Sequence, residues 1–464
     1  MTASERTLTR GVVARYAIGS IGTGGFATLP GLVLVYYLTD TLGVTALVAG
    51  LVVTAAKVWD VVIDPWIGER SDRALARTGT RRTWMIVGAI ALPVGFILTF
   101  AVPTGLDPGA SGIWVFLAFL ATATAFSLFQ VPYIALPAEL TTDYDARTRL
   151  LTWRVVVLTI AILLFGAGGP EVRAAFADEH TGYLVMAIVA GVVIGAGMLV
   201  ATTTAAKARA SKPSASTDAA PRRDIRAGYA EGFAALKRSA AFRALLAAFV
   251  LQGLATGLML AGAQFVATWV LRDERAVTYL FVALIGPAVL FAPVWQAVAR
   301  RVGKERGFAL ASTLFGIAAL SLVGMIWAPG AWVYVPVALA GAGYAGMQSL
   351  PMAMLPDVIS HDARTHGIGR AGSFGGVWTA GETAGMALGA TVLTIVLAMT
   401  GYIESVGSET VTQSPAAITG IAISFSAIPA LLVAASLVAL RRYPLRRADI
   451  EADAAATSAE TMAS

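Results

Sequence analysis

The chain has no cysteine, three histidines and only 13% charged residues among 464. Without cysteine there is no disulfide framework, no thiol nucleophile and no thiolate metal ligand. His180, His361 and His366 are too few and too scattered to supply the roughly four ligands of a typical metal site, so no metal is expected. Charge stands at about half of the roughly 25% usual in a water-soluble domain, while 57% of the residues are hydrophobic. Most of the surface must therefore face something other than water, which predicts an all-α protein of many spans embedded in a lipid bilayer. Enzyme signatures are missing too: no Gly-x-Ser-x-Gly elbow, no His-Glu-x-x-His, no phosphate loop. A polytopic membrane enzyme is the remote alternative, and no cofactor is expected beyond a coupling ion.

Apolar runs of about 20 residues, enough to cross a hydrocarbon core of about 30 Å, fall in two sets. The first lies near 14–38, 44–66, 83–103, 112–137, 152–170 and 181–202; the second near 242–271, 277–299, 307–328, 331–356, 371–400 and 416–440. This predicts an N-terminal six-helix bundle over 1–202, a cytoplasmic linker over 203–241 and a C-terminal six-helix bundle over 242–444. The linker is rich in Ala, Ser, Pro and charge, with a short amphipathic helix expected from Ile225 to Lys237. The polar tail, 445–464, is expected to be disordered.

Positive charge alternates from loop to loop. Arg6, Arg10 and Arg15 precede span 1; Arg70, Arg73, Arg77, Arg81 and Arg82 follow span 2; Arg300, Arg301, Lys304 and Arg306 follow span 8. The intervening loops hold only Arg173, Arg272 and Arg275. Short cytoplasmic loops retain Lys and Arg, so both termini are expected in the cytoplasm, with the protein in the plasma membrane. The same alternation accounts for the net charge of +6, which leaves no basic surface to assign to nucleic acid. Span 1 lacks the cleavage pattern of a signal peptide.

The loop after span 2 carries Gly68, Asp72, Arg73, Gly79, Arg81 and Arg82. It resembles the cytoplasmic gating motif of the major facilitator superfamily, whose fold of two six-helix bundles agrees with the twelve expected spans. An aspartate that merely caps a helix end beside basic residues is the plainer reading. The corresponding loop of the second half, "ARRVGKERG" at 299–307, looks like a degenerate copy without the acid.

Within "KVWDVVIDPWIGERSDR", Asp60 and Asp64 are four apart and Lys57 precedes Asp60 by three. On a helix all three share one face. Carboxylates at mid-membrane are costly unless paired, hydrated or protonated, and one lysine cannot satisfy two. A purely structural Lys57–Asp60 bridge is the competing reading. The stretch is similar to the span-2 signature of the glycoside–pentoside–hexuronide:cation symporters, the melibiose-permease-like family. "YYLTD" (36–40), "QVPYIALPAELTTDYDARTRL" (130–150) and "LPDVISHDARTHGIGRAGSFGGVWTAGETAGMALGA" (355–390) extend the likeness in order through both halves.

The resemblance implies that Asp60 and Asp64 form the cation site, with Asp64 protonated or in contact with sodium. It also implies that Arg154 lines the sugar cavity and can pair with the acids, and that Trp59 and Trp153 offer stacking faces. Departures are informative. Ile63 stands where the melibiose-permease pattern has Asn, removing an oxygen ligand and favouring a proton over sodium. Gly24, Gln130 and Thr383, beside Glu382, replace three charged cavity groups, which argues against α-galactosides. Ser127, Gln130, Tyr133, Gln264, Trp378, Thr379 and Glu382 remain with Arg154 to bind a sugar, glycoside or related small solute. The glycine-rich "GSIGTGGF" and "GSFGGVW" stretches either widen the cavity for a lipid or amphiphile, the alternative cargo, or allow close helix packing. The expected protein is a monomeric symporter working by alternating access.

Overall fold

The computed structural model describes residues 8–141, 143–205, 236–366, 371–407 and 411–446. The expected tail (445–464) lies almost wholly outside the described residues, as does most of the expected linker with its short helix. Twelve long helical segments follow in order: α1 (Arg10–Thr41), α2 (Ala46–Thr78), α3 (Arg82–Phe100), α4 (Pro108–Leu140), α5 (Tyr144–Ala174) and α6 (Glu179–Ala205), then α7 (Ala240–Val270), α8 (Ala276–Val302), α9 (Lys304–Ile326), α10 (Tyr334–His366), α11 (Ala371–Met399) and α12 (Pro415–Arg441). Among the described residues, 11 are long and apolar enough to cross a membrane. The exception is α10, where Gly341, Gly343, Tyr344, Gly346, Gln348, Ser349 and Pro351 dilute the apolar run.

Cα proximity gathers the described chain into two compact units, Met1–Ala220 with Tyr402–Gln413, and Pro221–Gly401 with Ser414–Ser464. In the first, α1 packs on α5, α2 on α4, and α3 on α4 and α6. In the second, α7 packs on α11, α8 on α10, and α9 on α10 and α12. The same pairing thus recurs six helices later. Each unit also ends its second helix on a glycine with positive φ, Gly79 (+73°) and Gly303 (+96°), a backbone region that disfavours other residues.

The connection between α11 and α12 belongs to the first unit rather than to the 242–444 bundle expected from sequence. The last turn of α1 widens into a π-helix and leaves carbonyls at Thr39, Asp40 and Thr41 for outside donors. Ser405 N and Gly407 N donate to Thr39 O and Thr41 O at 3.1 and 3.0 Å, and Ser405 Oγ to Asp40 O at 2.9 Å. Tyr402 Oη donates to Asp40 Oδ1 at 2.5 Å, while Glu404 Oε1 accepts from Ala46 N at 2.8 Å.

Side-chain caps fix where several helices begin. Asp107 caps α4 and Asp143 caps α5 with side-chain bonds to the first free N–H groups. Asp178 accepts from Thr181 N and Oγ1 at the start of α6, and these bonds hold its carboxyl below the usual range.

Candidate functional site

Helix α2 has two unlike faces. Leu51, Val58, Val62 and Trp66 are exposed, the pattern of a lipid-facing stripe, while Val53, Ala56, Asp60 and Ile67 turn into the first unit. Asp60 is 9% exposed, and its Oδ2 lies 3.4 Å from Lys57 Nζ. Asp64, one turn on, has Ser127 of α4 within hydrogen-bonding reach and is close enough to Asp60 for like-charge repulsion. Oδ1 of each acid is buried without a hydrogen-bond partner in the protein. The helix thus brings two carboxylates to one lysine and one hydroxyl.

Around this pair the first unit supplies polar groups already engaged with one another. Trp59 Nε1 donates to Thr124 Oγ1 on α4 at 2.9 Å, and Gln130 Oε1 accepts from Thr23 Oγ1 on α1 at 2.8 Å. Tyr133 is fully buried, stacked between Tyr16 and Phe129. Its hydroxyl donates to Tyr16 O at 2.8 Å and accepts from Ser20 Oγ at 2.9 Å, so it braces α1 against α4. Arg154 makes no ion pair with Asp60 or Asp64: its guanidinium lies over the Tyr133 ring, 5.5 Å from the centroid, and Nε is buried without a partner. Trp153, its neighbour on α5, is half exposed.

The glycines of α1 are consumed in packing. A Cβ at Gly24 would stand 2.7 Å from Ala161 Cβ of α5, and one at Gly25 2.8 Å from Ile194 of α6. They let helices approach; they do not widen a cavity there.

In the second unit the sequence-derived residues divide. Glu382 of α11 lines a small open cleft, together with Phe249, Gln252 and Thr256 of α7 and Tyr344 and Gln348 of α10. Trp378 stacks on Phe249 at 4.3 Å and is nearly inaccessible, with Nε1 unpartnered. Thr379 is exposed. Gln264 lies three turns along α7 from Gln252, fully buried, donating to Thr268 Oγ1 at 3.2 Å, and is not part of this cleft. Sequence reading missed Gln252, Thr256, Tyr344 and Gln348. Their signal was present: polar pairs four apart in apolar helices, the spacing that singled out Asp60 and Asp64.

At the end of the first unit where α2 meets α3, Arg81 is the hub of the motif. It is 9% exposed and contacts Asp72 Oδ1 at 2.5 Å, Glu139 Oε1 at 2.5 Å and Ser71 Oγ at 2.8 Å. Arg73 pairs with Glu69 on its own helix, and Arg82 is exposed. A Cβ at Gly68 would meet only Val131, at an ordinary 3.6 Å. Glu139, at the end of α4, was not anticipated. The second unit repeats the arrangement: Lys304 Nζ lies 2.6 Å from Asp357 Oδ2, near the end of α10. The acid missing from "ARRVGKERG" is thus supplied by a different helix. Among the described residues no group of three or more His, Asp or Glu is arranged to hold a metal.

The profile of a family described as MFS/sugar transport protein matches residues 15–447. An uncharacterized symporter of Synechocystis is 25% identical, with 93% of this chain and 94% of that protein covered. The glucuronide carrier protein homolog of Escherichia coli is 24% identical over 93% of this chain and 92% of its own length. The crystal structure of a D-xylose-proton symporter superposes with a TM-score of 0.68 at 11% identity, over 94% of this chain and 98% of that one, a likeness of fold. The chain belongs to the MFS/sugar transport protein family: it is a multi-pass membrane protein and a secondary transporter of small molecules, not an enzyme.

Proposed function

We propose that the protein is a symporter that couples entry of a sugar, glycoside or related solute to a cation, a proton in preference to sodium, with Asp64 as the coupling group. The observation that carries this reading is the acid pair: Asp60 and Asp64 share one face of α2 with a single lysine, and each keeps a buried carboxylate oxygen without a partner. With Lys57 beside Asp60, the second carboxylate is left without a counter-charge in a low-dielectric interior, at a cost of several kcal/mol. Binding a cation at Asp64 removes that penalty and the repulsion with Asp60. A site loaded in this way crosses between its two access states more readily than an empty one, and this difference is what ties solute movement to the ion gradient. Ile63 between the acids supplies no oxygen, which suits a proton better than a coordinated metal ion.

Arg154, unattached to either acid, remains free to meet an anionic or hydroxyl oxygen of the solute, and the relative named as a glucuronide carrier homolog is in keeping with that. The protein is placed in this reading in the plasma membrane as a monomer, with both termini in the cytoplasm.

The test is uptake of labelled glycosides, pentoses and uronates into everted and right-side-out vesicles under an imposed proton or sodium gradient, with Asp64→Asn alongside. Proton-driven accumulation that disappears in the variant supports the proposal. Accumulation that survives Asp64→Asn removes Asp64 from coupling, and dependence on sodium at fixed pH and potential rejects the proton.

A further inference from the structure

The cleft of the second unit has a chemical bias that its amino-acid inventory makes unusual. Its polar lining is one carboxylate, two amides and the hydroxyls of Thr256 and Tyr344, and no Lys, Arg or His contributes to it. Glu382 forms no ion pair among the described residues.

Gln252 sharpens the bias. It is 3% exposed, and its Nε2 donates to Ser312 Oγ at 2.8 Å and Ser436 Oγ at 3.0 Å. Each of those hydroxyls already spends its one proton on a helix carbonyl, Phe308 O and Val433 O. Neither serine has a proton left to give, so the amide must present nitrogen to them and Oε1 elsewhere. That oxygen is buried without a partner in a residue that lines the cleft. A buried acceptor left unmet is costly, and it keeps negative potential beside the cleft. Gln348 uses its Nε2 on Tyr344 Oη at 2.7 Å, which again leaves an amide oxygen as the acceptor. Phe249 and the thioethers of Met347 and Met386 complete the lining with polarisable surface of the kind that tolerates an organic cation.

We propose that this cleft binds the protonated amine of an amine-bearing polyhydroxylated solute, an amino sugar in its simplest form, with Glu382 as counter-charge. That the amine sits on a carbohydrate rests on the transporter reading above; the preference for an amine rests on the cleft alone. An ammonium brings three donors and one positive charge to a place that holds one negative charge and no positive one. A neutral hydroxyl in the same position satisfies one acceptor and leaves the carboxylate without a counter-ion.

The experiment is calorimetric titration of the purified full-length protein with glucosamine, galactosamine and mannosamine against glucose, galactose and mannose, at slightly acid pH where the amines are charged. At least one amino sugar should bind about tenfold or more tightly than its parent, the scale of one charge-assisted hydrogen bond. In Glu382→Gln, which keeps the shape, that ratio should fall to about one, and in Glu382→Asp it should persist in reduced form. Thermal unfolding of each variant checks that the fold is retained. Three results overturn the proposal: no amine outbinding its parent in the native protein, a ratio unchanged in Glu382→Gln, or a Glu382→Gln protein that keeps the amine preference but loses gradient-driven uptake, which would make Glu382 a coupling acid. Asp64→Asn separates this proposal from the symporter reading, because it addresses accumulation and leaves the amine-to-parent binding ratio as the readout of the cleft.

Discussion

The two units share a scaffold and differ in charge. Both pair their six helices in the same pattern, both stop the second helix on a glycine with positive φ, and both tie the following segment to an acid in the second half of the fourth helix, Arg81 to Glu139 and Lys304 to Asp357. The interiors diverge: the first holds Lys57, Asp60, Asp64 and Arg154, whereas the cleft of the second holds Glu382 among amides and thioethers. A repeated architecture therefore does not imply repeated chemistry. In the reading proposed above, the acids of the first unit take up and release the ion, and the cleft of the second meets the amine of the solute.

The sharpest way to break this division is to remove charge from each side. Asp64→Asn should bring gradient-driven accumulation down to that of vesicles without the protein, while exchange of solute across the membrane continues. If Glu382→Gln has the same effect and Asp64→Asn has none, the assignment of ion and solute to the two units is reversed.

The shared scaffold can be graded in the same manner. Arg81 and Glu139 are nearly buried, their side chains 10% and 12% exposed, so Arg81→Ala leaves an unpaired acid in the interior and should cost about 3–5 kcal/mol. Lys304, with its side chain 38% exposed, is closer to a surface pair, and Lys304→Ala should cost about 1 kcal/mol or less. Thermal unfolding in one detergent reads both. Equal losses would mean that the two junctions carry equal weight despite their unequal burial.

Helix contacts come next in size. A Cβ at Gly389 would stand 2.3 Å from Leu258 N and 2.5 Å from Gly257 C, whereas at Gly24 the contacts are longer, 2.7 Å to the Ala161 methyl and 3.0 Å to Leu158 O. Gly389→Ala should therefore force α7 and α11 apart, at about 1–3 kcal/mol, and Gly24→Ala should cost less. The unfolding midpoints of the two variants, compared side by side, check the order.

Much of this was legible in the chain because a membrane imposes simple rules. Apolar length located the spans, and the spacing of Asp60 and Asp64 placed both acids on one face before any coordinates. What was not legible is pairing over long sequence distance. Nothing local links Arg81 to Glu139, Lys304 to Asp357 or Tyr402 to Asp40, since each partner lies on another helix or in a distant connection. Tyr133 misled for a related reason: its position suggests a cavity-facing hydroxyl, but Tyr16 and Ser20 use that hydroxyl, which no property of the 130–150 stretch announces. Glycine was ambiguous in sequence because closeness and openness both need a small residue.

The smallest expected effect tests what the scaffold is for. Gly68 lies inside α2, with only Val131 near the place of a side chain, at 3.6 Å. In this conformation nothing demands glycine there, and glycine in a helix interior is worth about 0.5–1 kcal/mol less than alanine. Gly68→Ala should accordingly raise the unfolding midpoint slightly. Gly68 falls in the stretch that resembles a gating motif, so transport is the informative second measurement. If stability rises and uptake is unchanged, the residue has no steric role in either access state. If stability rises while uptake falls, the glycine serves a closer approach of α2 to its neighbours in the other state, and the motif end of the first unit is where the conformational change is felt.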